Sequence, residues 1–179
     1  MEPHLRVNIN FVLCWFVLCF SCECPIVSAM TRPYDGLAER LTKARGDRDE
    51  RMQTFVDLVW ESLHPTGVSW VGFYLYQGGD ELVLGPRRDK PACSPIGLHG
   101  ACGRAFVSGR PLVVRDVAEL GANYIACDPR DQSEVVVPLF DDSGKCLGVL
   151  DLDSYDVGAF TDEDVSGLKL LLHAAGLAQ

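Results

Sequence analysis

Basic clusters are missing from this sequence. Lysine and arginine total 16 against 25 aspartates and glutamates, giving a formal net charge of −9 and a pI near 4.8. A surface of that sign repels phosphate backbones, which excludes nucleic acid as a partner. The apolar run Phe11–Phe20 is too short to span a bilayer as a helix, so no membrane partner is expected either. A C-x2-C pair occurs once, at Cys19 and Cys22, where a zinc ribbon needs two, and structural zinc is not supported. Repeats and low-complexity segments are also absent. The rest of the composition, 47% hydrophobic and 23% charged over 179 residues, is that of one soluble globular domain with something added.

The addition is the N-terminal segment, residues 1–29. Arg6 stands ahead of the apolar run and Val27-Ser28-Ala29 resembles a small-residue cleavage site behind it, the outline of a secretory signal. Against that outline, Glu2 opposes Arg6, and Trp15, Cys14 and Cys19 interrupt the run. The reading adopted is an extension ahead of a true start at Met30, with the domain running over residues 30–179.

From Tyr34 onward the periodicity alternates. Tyr34 to Arg45 and Asp49 to His64 place Leu37, Leu41 and Ala44, then Met52, Phe55, Val59 and Leu63, on single helical faces. Val68 to Tyr76 and Glu81 to Leu84 form a hairpin across Gly78-Gly79-Asp80. Leu98 to Ser108 reads as a brief helix, Leu112 to Val117 as a strand and Ala118 to Asp131 as a long surface loop. Glu134 to Phe140 and Lys145 to Asp153 form a second hairpin around Asp141-Asp142-Ser143-Gly144. Thr161 with Asp164 caps a last helix that buries Val165, Leu168, Leu172 and Ala175. The class is α+β: terminal helices on one face of an antiparallel sheet, pocket-forming loops on the other.

Three groups of residues carry candidate chemistry. Of eight cysteines, Cys93, Cys102 and Cys127 stand beside proline, glycine or aspartate in segments read as loops. Accessible backbone suits thiol exchange, although spacing alone leaves three unpaired packing thiols equally open. Cys146 lies in an apolar strand and receives no role. Glu134 opens one strand, and Asp151 and Asp153 share a face of the next, so clustered carboxylates can hold an ammonium group and raise one another's pKa. Trp70 and Tyr74, four apart on a strand, share a face and either wall a pocket or fill the core.

The ordered motifs Trp70-Val71-Gly72-Phe73-Tyr74-Leu75, Lys90-Pro91-Ala92-Cys93, Gly100-Ala101-Cys102-Gly103, Ile125-Ala126-Cys127-Asp128, Ser133–Leu139 and Gly148–Ser154 resemble those of the free methionine-(R)-sulfoxide reductases, from about Tyr34 to the C-terminus. The resemblance implies a GAF fold and reduction of the free amino acid. It implies Cys127 as nucleophile, Cys93 as resolving cysteine and Cys102 as an auxiliary one. It also implies Glu134, Asp151 and Asp153 as the acidic pocket and Trp70 and Tyr74 as the aromatic wall. The segment Cys93 to Cys102 stands one residue shorter than the family pattern. In such chemistry a thiolate attacks the sulfoxide sulfur, an acid protonates the oxygen, and a sulfenic acid on Cys127 condenses with Cys93. No bound cofactor is implied; thioredoxin is the external reductant and the cytoplasm the compartment. A homodimer is unremarkable for the fold family. The rival reading is a non-catalytic GAF module that binds a small ligand.

Overall fold

Two capping boxes set the helical layer in place. Asp47 accepts the Glu50 backbone N–H at 2.9 Å while the Glu50 carboxylate accepts that of Asp47, which starts α2 (Arg48–Leu63). Thr161 and Asp164 repeat the arrangement at the start of α4 (Asp162–Ala174). Helix α1 (Tyr34–Leu41) stops short of the expected Arg45. There the Thr42 hydroxyl donates to the Glu39 carbonyl, and i→i−3 bonds from Lys43 and Ala44 tighten the chain into a turn. The computed structural model describes residues 32–123 and 127–178, with the side chains of 122 and 123 left aside. The expectations for residues 1–29 therefore lie outside the described residues, as does part of the 118–131 loop.

Six strands make one sheet: β1 (Val68–Tyr76), β2 (Glu81–Arg88), β3 (Ile96–Gly97), β4 (Leu112–Val114), β5 (Ser133–Phe140) and β6 (Cys146–Ser154). Their order is β3-β2-β1-β6-β5-β4, and every neighbouring pair is antiparallel. β2 runs on to Arg88, beyond the expected Leu84, because it also pairs with the end of β1 nearest the helices' entry, Val71 facing Arg88. β4 is shorter than expected, and Val117–Asn123 winds into tight 3-10 turns where the sequence predicts an irregular loop from Ala118 on.

Strict alternation along the strands divides the side chains between two layers. Val71 and Phe73 on β1, Val135, Val137 and Leu139 on β5, and Leu150 and Leu152 on β6 meet α1, α2 and α4 in the main core. The other face carries Trp70, Tyr74, Val136 and Val149, covered by α3 (Ala101–Ser108) with Ala105 and Cys102. That face is thus closed by a short helix as well as by loops. Gly103 permits the closure: a Cβ there would lie 2.2 Å from the Leu98 backbone, so only glycine lets α3 seat against the segment before it. Among the described residues no helix is long and apolar enough to cross a membrane.

Candidate functional site

Strand register gathers the acidic side chains. Asp151 and Asp153 point to the α3 face of β6; Glu134 on β5 lies opposite Asp153, and Trp70 and Gly72 on β1 lie opposite Asp153 and Asp151. β6 is a central strand, so these carboxylates are no solvated sheet edge. Glu134 and Asp151 are 6% and 5% exposed, and Asp153 is partly buried. One carboxylate oxygen from each of the three lies within 4.8 Å of the other two, close enough to share a single cation, whether an ammonium group or a metal ion. Glu134 Oε1 and Asp151 Oδ1 are buried without a hydrogen-bond partner. Unpartnered buried oxygens are costly, and a bound donor would relieve them.

Burial and mutual repulsion bring these groups toward neutrality. Burial first, then the Asp151 and Asp131 charges, pushes Glu134 up to about 8. Burial pushes Asp151 up to about 7, and the same causes hold Asp153 well above the ordinary carboxylate range. At neutral pH the trio therefore retains protons.

A cavity of about 310 Å³ opens above the trio. Trp70 and Tyr74 form its wall, ring centroids 6.0 Å apart, and both are also buried in the second apolar cluster, so the pocket and core readings of this pair hold together. Gly72 makes room for the indole: a Cβ there would meet Trp70 at 2.3 Å. Both rings also hold the segment that roofs the pocket. Trp70 Nε1 donates to the Lys90 carbonyl at 3.1 Å and the Tyr74 hydroxyl to that of Cys93 at 2.9 Å.

Cys127 and Cys93 are exposed at the mouth. The Cys93 backbone N–H donates to Cys127 Sγ at 3.4 Å, and Tyr74 Oη lies 3.9 Å from the same sulfur. Burial and the adjacent Cys93 thiol push Cys127 up to about 12, against the opposing pull of the Cys93 N–H and the Tyr74 hydroxyl, so at rest it is a thiol. Cys102 departs from the expectation of a loop cysteine and agrees instead with the brief helix expected over Leu98–Ser108. It occupies the first turn of α3, is buried, and donates from Sγ to Asp151 Oδ2 at 3.3 Å. Burial and the carboxylates around it push its pKa well up. Helix formation over Ala101–Ser108 takes this thiol out of the accessible backbone that its glycine neighbours suggested. Cys146 is partly buried at the start of β6, its Sγ directed to the Gly148 carbonyl.

The defining pattern of the GAF domain matches residues 46–178. This chain is a GAF domain of the free methionine-R-sulfoxide reductase family. The chain is similar to the free methionine-R-sulfoxide reductase of Escherichia coli, at 43% identity over 64% of this chain and 67% of that one. Protein ZMO0507 of Zymomonas mobilis is 37% identical over 77% of this chain and 84% of its own. A solved free methionine-R-sulfoxide reductase from Neisseria meningitidis, in complex with its substrate, superposes with a TM-score of 0.69 at 33% identity, covering 81% of this chain and 87% of that one.

All eight residues singled out in the sequence line this same cavity: Trp70, Tyr74, Cys93, Cys102, Cys127, Glu134, Asp151 and Asp153. Sequence reasoning missed Asp131, which also lines it, accepts from Ser69 Oγ at 3.0 Å and is held above its ordinary pKa by burial. Nothing in its turn context, Pro129-Arg130-Asp131, distinguishes it from a surface residue. Lys90 and Asp128, motif neighbours to which the sequence assigns no role, form an ion pair at 2.7 Å beside the mouth.

Proposed function

We propose that this GAF domain reduces free L-methionine (R)-S-oxide to methionine with electrons from its thiols. The observation that carries the reading is an exposed Cys127 thiol above a pocket whose floor presents two buried, unpartnered carboxylate oxygens. A free amino acid supplies the ammonium such a floor lacks, and a peptide-bound methionine sulfoxide does not. The names of the E. coli and N. meningitidis relatives support the same substrate.

The trio holds the ammonium, while Trp70 and Tyr74 face the methyl and thioether with apolar ring surface. Cys127 Sγ attacks the sulfoxide sulfur. Its proton and one from the carboxyl floor let the sulfoxide oxygen leave as water, which a bare oxide cannot do, and an S–S bond then joins Cys127 to the substrate sulfur. Water attacks Cys127 Sγ, that bond breaks, methionine departs and the carboxyl regains its proton. In sum one oxygen atom passes from substrate to Cys127: sulfoxide and thiol become thioether and sulfenic acid. The Cys93 thiol then condenses with that sulfenic acid, forming the S–S bond and releasing water. Thioredoxin, an external dithiol, reduces the disulfide by exchange, and the cycle belongs in the cytoplasm, where thiols stay reduced.

The test is methionine formed from free L-methionine (R)-S-oxide with thioredoxin, its reductase and NADPH, beside a Cys127→Ser variant. Turnover of the R epimer, indifference to the S epimer and loss of activity in Cys127→Ser are expected. A folded parent protein that yields no methionine would overturn the reading in favour of a ligand-binding module.

A further inference from the structure

The roof segment and the Cys127 loop are tied together by a polar triangle outside the pocket. Lys90 Nζ lies 2.7 Å from Asp128 Oδ2 and donates to Tyr155 Oη at 2.7 Å; Tyr155 Oη donates to Asp128 Oδ2 at 3.3 Å. Lys90 stands three residues before Cys93, and Asp128 directly follows Cys127. The third corner, Tyr155, follows the last residue of β6 and is fixed to the sheet. The Lys90 and Asp128 side chains are 24% and 10% exposed, so this pair is much less open to water than an ordinary surface ion pair. Lys90 Nζ lies 4.8 Å from the Tyr155 ring centre and the Arg130 guanidinium 4.6 Å from it. Arg130 and Lys90 hold the Asp128 carboxyl far below its usual range, so Asp128 is always charged.

We propose that Lys90, Asp128 and Tyr155 form a positioning clamp that keeps the Cys93 thiol against Cys127 for the resolving step. The proposal rests on the reductase reading above. Neither Lys90 nor Asp128 takes part in oxygen transfer. Their work comes afterwards, when the Cys93 sulfur attacks the Cys127 sulfenic acid, the Cys127 S–O bond breaks, and the thiol proton leaves with the hydroxyl as water. That step needs two sulfurs from separate loops at bonding distance. Lys90 ties the roof segment to the Cys127 loop on its outer side, as Trp70 and Tyr74 hold it on the inner one and Ser94 Oγ, accepting from the Leu84 N–H, holds it to β2. Arg130 gives an internal comparison. It grips Asp128 at the same 2.7 Å and lies over the Tyr155 ring, but it stands two residues from Asp128 on the same loop, so its ion pair does not link that loop to the roof segment.

The experiment mixes reduced full-length protein with one equivalent of free L-methionine (R)-S-oxide, without thioredoxin. It follows methionine release, sulfenic acid captured by dimedone, and the Cys93–Cys127 disulfide by peptide mass. In Lys90→Met, methionine should appear within about twofold of the parent rate. Disulfide formation should slow on the order of 10- to 100-fold, the usual effect of misplacing a reacting group by about 1 Å, with dimedone adduct rising to match. Lys90→Arg should restore most of the rate, and Arg130→Gln should leave it within about twofold of the parent. Equal disulfide rates in Lys90→Met and the parent would overturn the clamp, as would Arg130→Gln slowing the step as much as Lys90→Met. A parent protein that releases no methionine overturns the reductase reading itself, a separate result, and the clamp falls with it.

Discussion

Replacing Glu134 by glutamine should make the substrate-free protein more stable at pH 8 and leave it nearly unchanged at pH 4.5. Burial and the Asp151 charge raise Glu134 from an ordinary value of 4.5 to about 8. The folded state therefore binds this proton more tightly than the unfolded chain. The contribution to stability is complete below about pH 4.5 and is lost as pH rises through 8. Each pH unit between those values carries about 1.4 kcal/mol, so ionising Glu134 in the fold costs at most about 5 kcal/mol by pH 8. Glu134 and Asp151 act on one another, and neutralising one relieves only part of a shared cost, so about 2 kcal/mol is expected. For a chain of this size that is a rise in Tm of about 4 to 8 °C at pH 8 and under about 2 °C at pH 4.5. Scanning calorimetry of parent and Glu134→Gln at the two pH values measures it. An equal gain at both, or none at pH 8, would show that the carboxyl floor does not carry this repulsion and would refute the reasoning. The same variant should lose substrate turnover by about 10²-fold or more, since the group that destabilises the empty pocket is the one that meets the cation.

Four further outcomes follow from other parts of the molecule. Asp164→Ala should destabilise by about 3–5 kcal/mol in urea unfolding, because Asp164 accepts from buried Arg32 at 2.6 Å and from Tyr34 Oη at 2.7 Å and also caps α4. Gly72→Ala should cost about 1–3 kcal/mol and raise KM more than it lowers kcat, because the new methyl displaces the Trp70 indole from the pocket wall. Cys102→Ser should retain single-turnover methionine release and the Cys93–Cys127 disulfide within about threefold, as peptide mapping would show, since its thiol is turned inward to Asp151. Alkylation of Cys127 by iodoacetamide, followed by mass spectrometry, should keep rising by about tenfold per pH unit through pH 10, because the thiol titrates only at about 12; a plateau near pH 8 would contradict that.

Much of the fold was legible because its signals are local. The Thr161 cap, the two hairpin turns and the alternation of Val149-Leu150-Asp151-Leu152-Asp153 each act within a few residues, and each produced the element expected of it. Alternation also placed Asp151 and Asp153 on one face, and pairing with β5 brought Glu134 to them. What the sequence withheld depends on contacts distant along the chain. The brief helix expected over Leu98–Ser108 forms as α3, but the inward turn of Cys102 toward Asp151 depends on the packing of Gly103 against Leu98, which the composition of Gly100-Ala101-Cys102-Gly103 does not encode. Asp131 becomes a pocket residue through Ser69, and Lys90 meets Asp128 across 38 positions of sequence, pairings that no periodicity encodes.

The two kinds of chemistry in the pocket are carried by two kinds of backbone, and the division follows from what each must do. The carboxylates hang from β5 and β6 at the centre of the sheet, where neighbouring strands fix their spacing and burial sets their protonation. A site that distinguishes a free ammonium by mutual charge needs that rigidity, since Coulomb interactions in a dry pocket change steeply with distance. Cys93 and Cys127 project from loops at the mouth, where a disulfide can form and then be reached by a second protein's thiols. Loops alone would leave the two sulfurs free to drift apart. The Tyr74 hydroxyl on one side and the Lys90–Asp128 pair on the other bound that freedom from below and from outside. Cys102, on a helix, shares the carboxylates' rigid setting and not the loops' freedom, its thiol turned to Asp151, so within the cycle proposed above the geometry favours Cys93 over Cys102 as the partner of Cys127.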